Sequence, residues 1–179
     1  MESDKKVNIY AEDLPYPPIR IQEKNLMYAN AMLANMASAN SELSTITAYV
    51  YNSMVTEPHF KKCSQYFHGI SIVEMRHLHI FGQLAMELGA SPRFWSRYRN
   101  RMVYWNAGCN TYSLKLNELI KNAIRGENAA IDQYYQQTRW IKDPCIVEIL
   151  KRIIMDEEKH VALLNQLYGE FCEKNDARA

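Results

Sequence analysis

Apolar residues recur every three to four positions along most of the chain, whereas Val, Ile and Thr never alternate at period two for long enough to suggest a sheet. The pattern predicts helices. The first runs from about residue 22 to 55 on Leu26, Ala29, Leu33, Met36, Leu43, Ile46, Val50 and Met54, and is stopped by Thr56-Glu57-Pro58. A second runs from about 59 to 88 on Phe60, Phe67, Ile70, Val73, Leu78, Phe81 and Leu84, with "LGASP" supplying a glycine cap and a proline stop. A third spans about 113 to 140. Asp143-Pro144 reads as an N-cap followed by proline in the first turn of a fourth, which continues past Tyr168.

Four helices of roughly 28 to 34 residues, each some 40 to 50 Å long at 1.5 Å per residue, predict an all-α four-helix bundle. The stretch "GASPRFWSRYRNRMVYWNAGCNTY" between helices 2 and 3 is long enough to run the length of a helix, so the bundle has one long crossover there. Pro15, Pro17 and Pro18 keep the start of the chain out of helix. The expected organisation is an extended arm over residues 1–21, available to lie across a neighbouring molecule, then the bundle over 22–174 and a short tail over 175–179.

Composition narrows the function classes. A net charge of +1 gives no general attraction to nucleic acid, and no apolar run reaches the roughly 20 residues that span a bilayer. The first twenty residues lack the apolar middle of a secretory signal, so the expected location is cytoplasmic. Cys63, Cys109, Cys145 and Cys172 have no C-x-x-C spacing, which argues against a thiolate metal site or a disulfide framework. The crossover interleaves Arg93, Arg97, Arg99 and Arg101 with Phe94, Trp95, Tyr98 and Tyr104. This can be read as a stacking surface for nucleic acid, but the better reading has the rings pinning the crossover to the bundle and the arginines facing water.

One stretch does not fit an ordinary core. "IIMDEEKHVALL" puts Glu157 and His160 on the same helix face as Ile153, Ile154, Val161 and Leu164, and "VEMRH" repeats the Glu-x-x-His spacing at Glu74 and His77. With 14 glutamates and five histidines, fewer than one such pair is expected by chance, and position sharpens the coincidence. Glu42 lies 15 residues before the turn at Glu57 and Glu74 lies 17 after it; Glu127 lies 16 before the turn at Asp143 and Glu157 lies 14 after it. Antiparallel neighbours therefore place all four glutamates and both histidines at one height. One glutamate from each of two helices and Glu-x-x-His from each of the other two is the dimetal carboxylate pattern of helix bundles.

An isolated buried carboxylate costs several kcal/mol, and four together require compensation, which two divalent cations supply. On this reading Glu74 and Glu157 bridge the ions, Glu42 and Glu127 hold one each, and His77 and His160 give each one nitrogen. Oxygen-rich ligation with nitrogen and without thiolates suits two ions of iron or manganese per chain. Asp156 is placed to accept the far N–H of His77, whereas the equivalent position before Glu74 is Val73, leaving His160 without a matching partner. Tyr49 and Tyr134 lie seven residues after Glu42 and Glu127, two turns along the same faces, and are candidate hydrogen-bond donors or redox-active groups; ordinary core packing is the competing account. His59, His68 and His79 stand outside the set, and Glu158 with Lys159 is expected to face water.

The stretches "VEMRHLHIFGQLAMELGASPRFW", "IRGENAAIDQYYQQTRWIKD" and "RIIMDEEKHVALLNQLYGEF" resemble the ferritin-like superfamily of dimetal carboxylate proteins, in the rubrerythrin and manganese-catalase branch and close to spore-coat-related catalases. The resemblance runs from about residue 25 to 171, and its six ligand positions fall on Glu42, Glu74, His77, Glu127, Glu157 and His160. It implies an oxidoreductase acting on hydrogen peroxide or dioxygen in oxidative-stress defence, with a metal-storing or structural coat component as the alternative. Rubrerythrins carry a further glutamate one turn after the third-helix ligand, where this chain has Ala130, and a four-cysteine iron domain that this sequence lacks. A peroxidase would then need an external electron donor, while a manganese catalase needs none. Bundles of this kind are expected to pair as homodimers.

Overall fold

Asn25 opens the first helix, its side chain accepting the backbone N–H groups of Met27 and Tyr28. A computed structural model of the chain describes residues 9–172. Residues 1–8 of the expected arm and the expected tail at 175–179 lie outside them. The described elements are α1 (Leu26–Ala37), α2 (Glu42–Thr56), α3 (Lys61–Glu87), β1 (Trp95–Tyr98), β2 (Arg101–Tyr104), a short 3-10 turn (Ala107–Cys109), α4 (Leu116–Trp140) and α5 (Pro144–Phe171). The architecture is the expected all-α bundle, with α1 and α2 together forming its first leg.

That first leg corrects the single long helix predicted over 22–55. Residues 38–41 are not helical: Ser38 is extended at φ −91° and ψ −173°, and Ser41 re-opens the helix as the N-cap of α2. The Ser41 hydroxyl donates to the Ser38 carbonyl at 2.7 Å, and Ser44 donates to the same carbonyl at 3.1 Å. The apolar spacing continues across the gap and conceals it, yet "SANS" is a cluster of residues whose side chains compete for backbone hydrogen bonds. The break makes Glu42 the first residue of α2, where a carboxylate meets the positive end of the helix.

Elsewhere the boundaries follow the sequence. At the end of α3, Gly89 has φ +98° and the Ala90 N–H reaches back to the Ala85 carbonyl at 2.8 Å, a Schellman closure that favours glycine. The crossover differs from expectation in carrying a two-stranded antiparallel hairpin, in which Tyr98 pairs with Arg101 across Arg99 and Asn100, both at positive φ. Only Trp95 of the four quoted rings packs against the bundle; Phe94, Tyr98 and Tyr104 are exposed. Trp105 adds a second anchor by donating its indole N–H to Ser44 at 2.9 Å.

The core is in two parts. Met32, Leu33, Met36, Phe81, Leu84 and Ile153 belong to an apolar cluster at the α1 end, and Phe67, Ile70, Leu119, Ile120, Leu164 and Leu167 to another at the opposite end. Each leg crosses from one cluster to the other through a buried charged residue: Glu42, Glu74, Glu127 and Glu157. The described part of the arm, residues 9–21, lies on its own bundle: Tyr16, Ile19 and Ile21 pack against the first cluster and Tyr10 against the second.

Asp143 ties arm to bundle, accepting the Cys145 N–H at 3.0 Å as the N-cap of α5 and the Gln22 N–H at 2.6 Å. Asp143→Ala is expected to cost about 1–2 kcal/mol, read as a lower denaturant midpoint with an unchanged slope.

Candidate metal centre

The six residues picked out by spacing meet in one buried layer. Glu74, His77, Glu157 and His160 are fully buried, and Glu42 and Glu127 are each 2% exposed. Their geometry is paired. His77 Nδ1 lies 2.9 Å from Glu74 Oε2 and 3.2 Å from Glu157 Oε1. His160 Nδ1 lies 2.9 Å from Glu74 Oε1 and 2.9 Å from Glu157 Oε2. Each imidazole thus faces one oxygen of each central carboxylate. Two ion-sized groups result, Glu42, Glu74, His77, Glu157 and Glu74, Glu127, Glu157, His160, with the candidate ligand atoms of each within 4.8 Å of one another.

The donor set fits divalent cations on a further observation. Glu74 Oε1 and Glu157 Oε1 are buried and face only the Nδ1 atoms of His160 and His77; when those nitrogens carry no proton, no donor among the described residues meets the two oxygens, which costs free energy unless a cation does. The imidazoles are turned to help. His160 Nε2 lies 2.9 Å from the backbone carbonyl of Tyr10, which can only accept, so Nε2 carries the proton. His77 Nε2 faces Asp156 Oδ2 at 3.1 Å in the same sense. In the neutral tautomer that these contacts select, Nδ1 of both rings offers its lone pair to the centre.

Asp156 takes the position expected of it, and the backbone carbonyl of Tyr10 is the partner of His160. Both depend on the arm. Asp156 Oδ1 accepts the Glu12 N–H at 2.7 Å and meets Arg152 Nη1 at 2.8 Å, while Oδ2 accepts the hydroxyl of Tyr16, which also lies 3.0 Å from His77 Nε2. The Tyr16 ring sits between the guanidinium groups of Arg76 and Arg152, at 4.2 and 4.3 Å from its centroid. Arg152 and Lys159 donate to the carbonyls of Leu14 and Ala11. Lys159 therefore departs from the solvated face expected of it, whereas Glu158 is exposed as expected. Tyr10 and Tyr16 escape a reading based on helix faces, because the arm has no periodicity; the available signal was Arg152, one turn before Asp156 on the same face of α5.

The two tyrosines cross over. Tyr134 of α4 donates to Glu42 of α2 at 2.5 Å, and Tyr49 of α2 donates to Glu127 of α4. The layer is thereby nearly two-fold symmetric, each outer carboxylate receiving a hydroxyl from the opposite leg. His59, His68 and His79 are exposed and take no part.

Charges in the layer are strongly coupled. Burial, reinforced by the charges of Glu74 and Glu157, pushes Glu42 and Glu127 well above the usual carboxylate range. Burial alone would lower both imidazoles, but Glu157 at His77 and Glu74 at His160 lead a set of carboxylate contacts that raises both well above 6.5. Glu74 is held well below 4.5 despite its burial, by His160 and His77. Burial would likewise raise Asp156, but hydrogen bonds from His77, Tyr16, Glu12 and Arg152 hold it low. Burial first, then Asp156, pushes the Tyr16 hydroxyl up to about 12.

A ferritin-like domain model matches residues 34–172. The chain belongs to the ferritin-like family. Among solved structures, the manganese catalase KatB from Anabaena superposes with a TM-score of 0.81 at 18% identity, over 92% of this chain and 81% of that one. The bacterioferritin of Rhodobacter capsulatus gives 0.67 at 20% identity, over 83% and 89%. Mycobacterium tuberculosis bacterioferritin BfrA gives 0.67 at 18% identity, over 86% and 92%. A comparison with curated proteins gives no match. No helix among the described residues is long and apolar enough to cross a membrane.

Two predictions follow from these contacts. In metal-free protein, Glu42 and Glu127 contribute most below 4.5 and the histidines below 6.5, because all four folded values are raised; that stability is lost as pH rises. A divalent cation held by these residues would displace those protons, so the gain in melting temperature on adding one should widen from about pH 5 to about pH 8; calorimetry across that range checks it. Tyr16→Phe removes the hydroxyl held by Asp156 and is expected to destabilise the fold by about 1–2 kcal/mol in denaturant titration.

Proposed function

We propose that this chain is a dimetal oxidoreductase that acts on hydrogen peroxide or dioxygen, with two ions of iron or manganese per chain. The observation that carries the reading is the sharing of Glu74 and Glu157 between two four-residue groups, each completed by one outer glutamate and one histidine. Bound divalent ions of a redox-active metal supply the electron couple at which an O–O bond is cleaved. The residues of the chain do the remainder. Glu74 and Glu157 present both oxygens to the centre, His77 and His160 present Nδ1, and Asp156 and the Tyr10 carbonyl hold the rings in that tautomer. Tyr49 and Tyr134 hold protons at carboxylate oxygens of Glu127 and Glu42, beside the centre, where proton movement accompanies peroxide chemistry. The two apolar clusters exclude water from either end.

Catalase action is the form that needs nothing beyond the chain: one peroxide is reduced to water and a second is oxidised to dioxygen, so the electrons balance. The likeness to a manganese catalase over most of both chains supports it. Iron storage is the second reading, supported by the likeness to bacterioferritins. Protein expressed with added iron and manganese is expected to hold about two ions per chain by elemental analysis, and Glu74→Ala to lose most of both, since Glu74 belongs to both groups. Protein that holds essentially no metal overturns the proposal. Oxygen evolution from peroxide without added reductant supports catalase action; turnover only with a reductase supports a peroxidase; iron accumulation without peroxide turnover supports storage.

A further inference from the structure

A cleft of about 160 Å³ lies between α2 and α4, with residues 109–111 of the crossover along one side. It is set on the face that carries the outer carboxylates: Thr45 lies one turn beyond Glu42, Gly126 immediately precedes Glu127, and the buried ring of Tyr49, whose hydroxyl donates to Glu127, is part of the wall. The arm and its contacts occupy a different face, over α3 and α5, where Tyr10 and Tyr16 reach His160 and His77.

The near symmetry of the centre fails here. Asn52 lies ten residues after Glu42, and Gln137 ten after Glu127, so the two amides are counterparts. Gln137 is satisfied: it exchanges hydrogen bonds with Asn35, at 2.6 and 2.7 Å, sealing the Tyr134 side. Asn52 is 5% exposed and lines the cleft, yet its side chain makes no hydrogen bond among the described residues. Its Oδ1 and Nδ2 open onto the cleft rather than being sealed in the core, so whatever fills the cleft, ligand or solvent, meets them. Gly126 adds a second sign, since a Cβ atom placed there would meet nothing within 4 Å. A helix-interior glycine with free space in front of it costs helix stability and keeps the cleft open.

The lining selects the occupant. It includes Ser44, Thr45, Asn52, Asn110, Thr111 and Asn122 and contains no charged side chain. A metal cation or an anion finds no counter-charge there, and dioxygen gains nothing from amides and hydroxyls. A small neutral molecule that both donates and accepts hydrogen bonds is matched by an amide that does both. We infer that the α2–α4 cleft is the holding and entry site for hydrogen peroxide, with Asn52 as its hydrogen-bonding contact and Tyr49 standing between it and Glu127. The inference rests on the dimetal reading above and narrows its substrate to peroxide.

The test uses Gly126→Leu, which fills open space and exchanges glycine for a better helix former. Metal content and melting temperature should equal or exceed those of the wild type, while kcat/KM for peroxide falls at least about tenfold. Asn52→Leu should raise KM with a smaller change in kcat. Crystals of metal-free wild-type protein soaked in hydrogen peroxide should show peroxide against the Asn52 amide, and Gly126→Leu crystals should not. Turnover of peroxide by Gly126→Leu within about twofold of wild type overturns the inference, as does cleft density that is the same with and without peroxide. If the wild-type protein holds no metal, the dimetal reading fails, and the soak of metal-free crystals still decides the cleft.

Discussion

The structure turns on burying four carboxylates in one layer of a helical bundle. Removed from water, such groups are tolerated only when their charge is met; here the oxygens of Glu74 and Glu157 face the two imidazoles, and Glu42 and Glu127 each receive a tyrosine hydroxyl. Without cations, protons do the work: the outer glutamates are pushed up by burial and the imidazoles by the carboxylates around them. The layer is therefore poised between two occupancies, protons or divalent ions, and the apolar clusters at either end keep water from settling the competition.

Much of the surrounding architecture serves that layer. The break at residues 38–41 shortens what would be one helix and brings a helix start to Glu42, so the first leg can carry an acidic group at its positive end. The arm completes the outer surroundings of both histidines, one through a carbonyl and the other through Asp156 and Tyr16. Arg152 holds the arm in place by its backbone carbonyls and neutralises Asp156 at the same time. An element with no regular structure thus sets the ring orientation on which the centre depends.

The two halves of the bundle match in their ligands and differ in their surroundings. Gln137 has Asn35 as its partner because α1 packs beside it, whereas Asn52 faces the crossover, which leaves a gap. A repeated Glu-x-x-His motif therefore yields a layer flanked on one side by a closed amide pair and on the other by a cleft.

Helix periodicity together with distance from the turns was enough to find the bundle and the six residues of the layer, because a helix converts sequence separation into height and face with little freedom. The N-cap at Asp143, the glycine closure at Gly89 and the role of Asp156 were legible for the same local reason. The break before Glu42 was not, since the apolar spacing runs through it and only the Ser-Ala-Asn-Ser cluster marks it. The hairpin at Arg99-Asn100, the docking of Tyr10 and Tyr16 on the histidines and the opening of the Asn52 amide onto the cleft depend on segments that meet across more than 50 positions of chain or on positive-φ turns outside any repeat. Local sequence determined which residues share a face and a level; only tertiary packing decided which polar groups found partners, because that depends on what the rest of the chain brings to them.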